Sequence, residues 1–241
     1  MQKKILGVLG GMGPAASARF YSMLTEFTLA EDDGAHMEIL LHSLPQIPDR
    51  TDFILGKSAL SPMPAMRTSV LRLAEAGAGL IAVPCNTAEF FHGGLQALCP
   101  VPILRTAYES ARFAAMRRVK KLGIIATEGT VKAGIYEKHL TALGVGFALP
   151  SAEMQAEISS LIYGSIKKSL PCDESVLLRA ARELKKEGCD AAVLGCTELS
   201  LVPIQSEHEF FIDSLAVLAA RCVALCGYPL SEKGRRYSPS T

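Results

Sequence analysis

Two stretches of the chain set a cysteine where acid/base chemistry could be done. Leu80-Ile81-Ala82-Val83-Pro84-Cys85-Asn86-Thr87-Ala88-Glu89 is echoed by Asp190-Ala191-Ala192-Val193-Leu194-Gly195-Cys196-Thr197-Glu198. In each, an apolar run of strand length leads into a cysteine and then into small hydroxyl or amide residues. Such a run reads as a buried parallel strand ending in a loop, and open α/β sheets bind ligands just beyond the carboxyl ends of their strands. The pattern therefore predicts two thiols facing one substrate. A single thiol in an apolar context is, as a rule, a buried inert side chain, and Cys99, Cys172, Cys189, Cys222 and Cys226 are read that way. Cys85 and Cys196 differ by their position at a strand end, their polar neighbours, and following helix N-termini that favour a thiolate.

The elements that must position these thiols alternate between strand and helix. Ile5 to Leu9 is a strand, Gly10 to Pro14 a loop, and Ala15 to about Leu29 a helix with Pro14 suited to its first turn. Met37 to His42 is a strand, and Ser43 to Leu60 a long connection of the kind that is usually functional or mobile. Pro62 to Glu75 is a helix, Leu80 to Val83 a strand, and a helix runs from Cys85 to about Leu98. Val101 to Leu104 is a strand and Thr106 to Met116 a helix. The pattern then restarts: Lys121-Leu122-Gly123-Ile124-Ile125-Ala126-Thr127-Glu128-Gly129-Thr130 parallels the first strand and its glycine loop. Gly7 and Gly123 lie 116 residues apart, and Cys85 and Cys196 lie 111 apart. This reads as an internal duplication into two α/β lobes. Val131 to Leu143 is a helix and Val145 to Ala148 a strand. Glu153 to about Lys168 and Asp173 to Glu187 are helices, Asp190 to Leu194 and Phe210 to Asp213 are strands, and Ser214 caps a helix to about Leu225. The basic, serine-rich segment from Ser231 is expected to fray.

Composition excludes several classes. Of 241 residues, 49% are hydrophobic and 20% charged, which is ordinary for a chain with a sizeable packed core. A formal net charge of +1 without charge blocks gives no nucleic-acid footprint, and no apolar stretch is long enough to span a membrane. The N-terminus is basic then apolar, but it breaks at Gly10-Gly11 without a cleavage pattern and reads as a strand. Seven cysteines without Cys-x-x-Cys spacing argue for a reducing cytoplasm and against a disulfide frame or a zinc site. Gly10-Gly11-Met12-Gly13 lacks the dinucleotide fingerprint, and no acidic residue ends the second strand. It is either a tight strand-to-helix turn or a backbone N–H cradle for a carboxylate; neither calls for NAD. His92, His139 and His208 lack partners at ligand spacing and read as ordinary surface histidines.

Gly-Gly-Met-Gly-Pro at 10 to 14, Pro-Asp-Arg-Thr at 48 to 51, Pro-Cys-Asn-Thr at 84 to 87 and Gly-Cys-Thr-Glu at 195 to 198 together resemble the aspartate/glutamate racemase superfamily, most closely its aspartate racemase branch, over essentially the whole chain. The resemblance implies an α/β fold of two pseudo-symmetric three-layer lobes with parallel sheets and the active site in the cleft between them. Residues 1–104 with 209–230 would form the first lobe, 105–208 the second, and 231–241 a flexible tail. It implies a cofactor-independent amino-acid racemase, with Cys85 and Cys196 as the catalytic pair on opposite faces of the substrate Cα. Met12, Gly13, Arg50, Asn86, Thr87, Thr130, Lys167, Thr197 and Glu198 are its substrate-binding candidates; Lys167 falls on the lysine of the Ile-Tyr-x-x-Ile-Lys pattern, with Lys168 next door as the alternative register. A cytoplasmic homodimer acting on a small acidic amino acid, with no metal, nucleic-acid or membrane partner, is the expected context.

The chemistry agrees with the residues. Removing an α-proton without pyridoxal phosphate leaves no electron sink, so a racemase needs a thiolate on one face and a thiol on the other. Asn86, Thr87 and Thr197 would supply donors to the carboxylate that gathers charge. Arg50 would clamp a carboxylate bidentately, the plain alternative being a solvated loop charge. Glu89 and Arg105 stand where histidines are usual in the family, and an ion pair between them is one way to accommodate both. Other reactions open to this fold are hydantoin racemisation, maleate isomerisation and arylmalonate decarboxylation. A catalytically quiet amino-acid-binding protein is the remaining class.

Overall fold

Among the described residues of the computed structural model, 3–206 and 208–238, seven strands pair in parallel in two sheets. The first lobe carries β1 (Leu6–Gly10), α1 (Pro14–Phe27), β2 (Ile39–Ser43), α2 (Arg50–Ile54), α3 (Met63–Glu75), β3 (Leu80–Ala82) and α4 (His92–Gln96), with sheet order β2-β1-β3. Helix α5 (Thr106–Met116) leads into the second lobe. That lobe holds β4 (Lys121–Ile125), α6 (Glu128–Lys132), α7 (Ile135–Ala142), β5 (Gly146–Ala148), α8 (Ala152–Ser159), α9 (Ser175–Lys186), β6 (Ala191–Leu194) and β7 (Phe211–Asp213), with sheet order β5-β4-β6-β7. Two helices follow, α10 (Ser214–Leu225) and α11 (Glu232–Arg235).

Each sheet is covered on both faces because its strands are apolar on both. Leu6 and Val8 point into a core with Phe20 and Leu24 of α1 and Leu215 and Ala219 of α10, whereas Leu9 packs with Met66 and Val70 of α3. In the second sheet Val193 joins Ala111 of α5 and Leu140 of α7, while Ala192 and Leu194 join α8 and α9. Helix α9 shows why such helices form. Leu177, Ala180, Ala181 and Leu184 recur at helical spacing as its buried stripe, flanked by Val176 and Leu178, while Arg179, Arg182, Glu183, Lys185 and Lys186 make its other face charged.

Several expectations change. The strand expected at Val101 to Leu104 is only an isolated bridge between Ile103 and Ile81, since Pro102 has no N–H to give a ladder. The helix expected over Val131 to Leu143 breaks into α6 and α7 at Gly134, whose φ of +58° is left-handed. The Glu153 to Lys168 helix gives way after Ser159 to a π-helical turn over Ser160–Ser165 and a 3₁₀ turn over Ile166–Lys168. The long connection after β2 holds helix α2, capped by the Asp49 carboxylate on the N–H groups of Thr51 and Asp52. Phe211–Asp213, expected within the returning segment 209–230, pairs in parallel with β6 and so belongs to the second sheet. Where fraying is expected from Ser231, that residue caps α11 and Tyr237 stacks on Phe27 of α1 at 5.5 Å between ring centroids. Residues 239–241 of that segment lie outside the described residues. No helix among the described residues is long and apolar enough to cross a membrane.

The cap of α10 is also corrected. Asp213, not Ser214, accepts from the N–H groups of Leu215 and Ala216 at 2.9 and 3.2 Å, and from the Ser200 hydroxyl at 2.6 Å. Burial pushes this carboxyl above its usual range despite those donors. Loss of a cap costs about 0.5–2 kcal/mol, so Asp213→Ala should destabilise the fold by that amount in urea unfolding. Asp213→Asn, which still accepts, should lose less, and equal stability of the alanine variant and the wild type would show that the cap contributes nothing.

Candidate active site

The glycine loop after β1 turns sharply at Gly11, with φ of +92° and no room for a Cβ, which would lie 2.4 Å from Leu44 N. It thereby brings Met12 and Gly13 to the carboxyl end of β1. Beside it, α2 presents Arg50, β3 leads to Cys85, and from the other lobe β6 leads to Cys196. These strand ends face one another across a chamber lined by Met12, Arg50, Cys85, Asn86, Cys196 and Thr197, among others. Its volume is about 10 Å³, room for roughly one water. An outer vestibule of about 370 Å³ adjoins it, and Met12, Asp49, Arg50, Lys167 and Glu198 line both.

The two cysteines sit in unlike surroundings. The Cys196 thiol donates to Glu198 Oε2 at 3.0 Å. Burial and then the Glu198 charge push it well above the ordinary thiol value, with Lys167 opposing. Cys85 instead faces a guanidinium. Arg50 is 6% exposed; burial works against its charge, but the negative potential of Cys85, Asp49 and Glu198 outweighs that and raises its pKa. The Arg50 Nη1 donates to Ile47 O and Pro48 O at 3.2 and 3.1 Å, and Nη2 to Met12 O at 3.2 Å. Its Nε is buried without a hydrogen-bond partner.

Glu198 joins the lobes, for its Oε1 accepts the Gly13 N–H at 3.0 Å. The N–H expected to serve in a cradle is thus engaged by the protein's own carboxylate. Thr197 Oγ1 reaches Pro84 O at 3.1 Å, again across the lobes. Lys167 Nζ lies 3.5 Å from Asp49 Oδ2 and over the Tyr163 ring, whereas Lys168 is exposed. Asn86 is fixed from both sides: Tyr136 OH donates to its Oδ1 at 2.6 Å, and its Nδ2 donates to Ser214 Oγ at 3.0 Å. Thr87, Thr127 and Thr130 form a hydroxyl cluster within 3.0 Å of one another. Thr87 lines the chamber while Thr130 stands behind it.

All eleven residues singled out in the sequence converge here, nine on the chamber itself, with Gly13 on the vestibule and Thr130 behind Thr87. Asp49, Thr51, Thr127 and Tyr163 also line the chamber and were not singled out. Their signal was present, since Asp49 and Thr51 flank Arg50, Thr127 opens the second glycine-bearing loop, and Tyr163 belongs to the motif that holds Lys167. Glu89 and Arg105 do pair, at 3.3 Å. His139, read as a surface histidine, is instead buried and lies 2.6 Å from Glu89. Among the described residues no group of three or more His, Cys, Asp or Glu is placed to hold a metal ion.

Two parallel-sheet α/β lobes thus each bring one cysteine to a shared chamber. The chain belongs to the Asp/Glu/Hydantoin racemase family, whose model matches residues 9–222. It is 26% identical to the broad specificity amino-acid racemase RacX of Bacillus subtilis (strain 168), over 91% of this chain and 97% of that one. A glutamate racemase of Lysinibacillus sphaericus is 26% identical, over 75% and 73%. Among solved structures, Picrophilus torridus aspartate racemase superposes with a TM-score of 0.85 at 26% identity, covering 98% of this chain and 100% of that one. An aspartate racemase homologue from Pyrococcus horikoshii OT3 shares the fold with a TM-score of 0.72 at 23% identity, covering 92% and 99%.

Proposed function

We propose that this chain is a cofactor-independent racemase of an acidic amino acid, aspartate first and glutamate second. The observation that carries the reading is the placement of Cys85 and Cys196, one from each lobe, on one closed chamber with Arg50 and Lys167. Burial and Glu198 hold the Cys196 proton on its sulfur, which makes Cys196 the donor in the first direction, and Cys85, facing Arg50, the acceptor. Cys85 then takes the α-proton from one face while Cys196 delivers its proton to the other, and the two exchange roles in the reverse direction. Negative charge gathers on the substrate carboxylate, where Asn86, Thr87 and Thr197 supply donors. Asn86 and Thr87 are pre-organised by Tyr136, Ser214 and the threonine cluster, and Thr197 by its bond to Pro84 O, so little reorganisation accompanies the reaction. The chamber is too small for an amino acid, and entry therefore requires the Lys167–Asp49 and Gly13–Glu198 contacts to part. The substrate's second carboxylate replaces Asp49 as the partner of Lys167.

A second reading, a racemase of wider range, is favoured by the vestibule of about 370 Å³, which exceeds the need of a four-carbon amino acid. One experiment tests both. Purified protein in D₂O should exchange the α-proton of L-aspartate and lose its optical activity with no added cofactor. Activity should survive EDTA and hydroxylamine and fall with iodoacetamide. An absorbance band near ~420 nm, the pyridoxal imine signature, or dependence on added metal would overturn the cofactor-independent reading. Exchange of alanine or lysine at rates like that of aspartate would select the wider one.

A further inference from the structure

We propose that α7 of the second lobe positions Cys85 through a two-rung bracket, Tyr136 to Asn86 and His139 to Glu89. Glu89, His139 and Tyr136 are then positioning residues for proton transfer at that thiol. The inference rests on the racemase reading above for its catalytic consequence, though not for its geometry. Asn86 and Glu89 lie three residues apart at the start of the 3₁₀ turn Thr87–Phe91, where side chains at that spacing eclipse. Tyr136 and His139 lie three residues apart on one face of α7. The two pairs therefore meet as two rungs, each 2.6 Å long.

The lower rung is a junction of three segments. Glu89 Oε1 takes His139 Nε2–H, Arg105 Nε donates to the same oxygen at 3.3 Å, and Oε2 accepts the Ala107 N–H at 2.7 Å. Arg105 precedes α5 and Ala107 lies in its first turn, so the Cys85 loop, the start of α5 and α7 are tied at one buried carboxylate. A carboxylate oxygen accepts, which assigns the Nε2 proton to the bond with Glu89, and Nε2 then cannot also accept from Arg105 Nη2, 3.2 Å away. The Glu89 side chain is 4% exposed and that of His139 7%, so neither bond competes with bulk water. None of Glu89, Arg105 or His139 lines the reaction chamber. Cys85 and Glu89 instead share a second gap of about 10 Å³ behind the thiol, with His92 and Thr106. The bracket thus braces the reacting loop from its far side. Misplacement of a reacting group by ~1 Å can cost on the order of 10²-fold in rate, and a loop held from only one lobe would allow smaller shifts of that kind.

The test compares Tyr136→Phe, His139→Leu and His139→Gln with wild type, each checked for native circular dichroism. Steady-state racemisation gives kcat and KM. Iodoacetamide alkylation followed by peptide mass mapping gives the separate rates at Cys85 and Cys196. Cys196 lines the same chamber, so its rate reports opening of the lobes and the ratio isolates the Cys85 loop. Tyr136→Phe and His139→Leu should lower kcat about tenfold with KM nearly unchanged, a fraction of the loss that full misplacement brings. The Cys85 to Cys196 alkylation ratio should shift severalfold, and His139→Gln, which keeps a neutral N–H toward Glu89, should restore both. Wild-type kcat and an unchanged ratio in the folded variants would overturn the proposal, as would equal changes at both thiols. If His139→Leu does not fold, Tyr136→Phe, which deletes a single hydroxyl, decides. Absence of racemisation in the wild type would remove the reaction reading, while the alkylation ratio would still decide the bracket.

Discussion

Cys85→Ala and Cys196→Ala should each reduce racemisation by at least ~10³-fold, because a positioned acid or base contributes about 10²–10⁴-fold and the proposed mechanism gives each face of Cα one thiol. Enantiomers have equal free energies, so kcat/KM must be the same in the two directions for wild type and for every active variant. The asymmetry between the thiols, Cys196 held protonated by burial and Glu198 and Cys85 facing Arg50, therefore cannot appear as a directional preference in kcat/KM. It should appear when one thiol is missing. Each single variant should still abstract a proton from the one enantiomer its remaining cysteine faces, seen as elimination from a β-chloro substrate of that hand only. Near-wild-type racemisation by either alanine variant would end the two-thiol mechanism.

The parts of the site legible in the sequence are those whose signal is local. A strand buried on both faces must be apolar throughout, so Leu80–Ala82 and Ala191–Leu194 announced themselves, and the loops after them carried Cys85 and Cys196. The repeat offset disclosed two lobes for the same reason. What stayed hidden depends on contacts between residues far apart in the chain. Gly13 meets Glu198 across 185 residues, and neither residue's neighbours reveal that the N–H is taken. His139 stands on a short helix with no partner at ligand spacing, and its burial follows from Glu89 50 residues earlier. Phe211–Asp213 has the composition of a strand, but only pairing with β6 assigns it to the second sheet. The cap at Asp213 was missed by one position, a choice between two capping residues that the sequence leaves open.

Arg50→Lys should lower kcat/KM for aspartate by about 10- to 150-fold, equivalent to losing roughly 1.5–3 kcal/mol of charge-assisted hydrogen bonding to a desolvated carboxylate. The guanidinium has five N–H groups. The three backbone acceptors Ile47 O, Pro48 O and Met12 O leave the orphaned Nε–H and one Nη2 hydrogen. A planar fork of that kind matches a carboxylate, and an ammonium cannot reproduce it. The three backbone bonds also tie the glycine loop to the start of α2, so the variant's unfolding midpoint must be measured alongside its kinetics. With the fold intact, the pattern across substrates locates the clamp. If Arg50 holds the side-chain carboxylate, alanine is a poor substrate for both proteins and loses little more on mutation, while aspartate and glutamate fall together. If it holds the α-carboxylate, all three fall by the same factor, and selection for acidic substrates rests on Lys167. Unchanged aspartate turnover in Arg50→Lys would remove Arg50 from substrate recognition and leave it the structural tie between Met12 and α2.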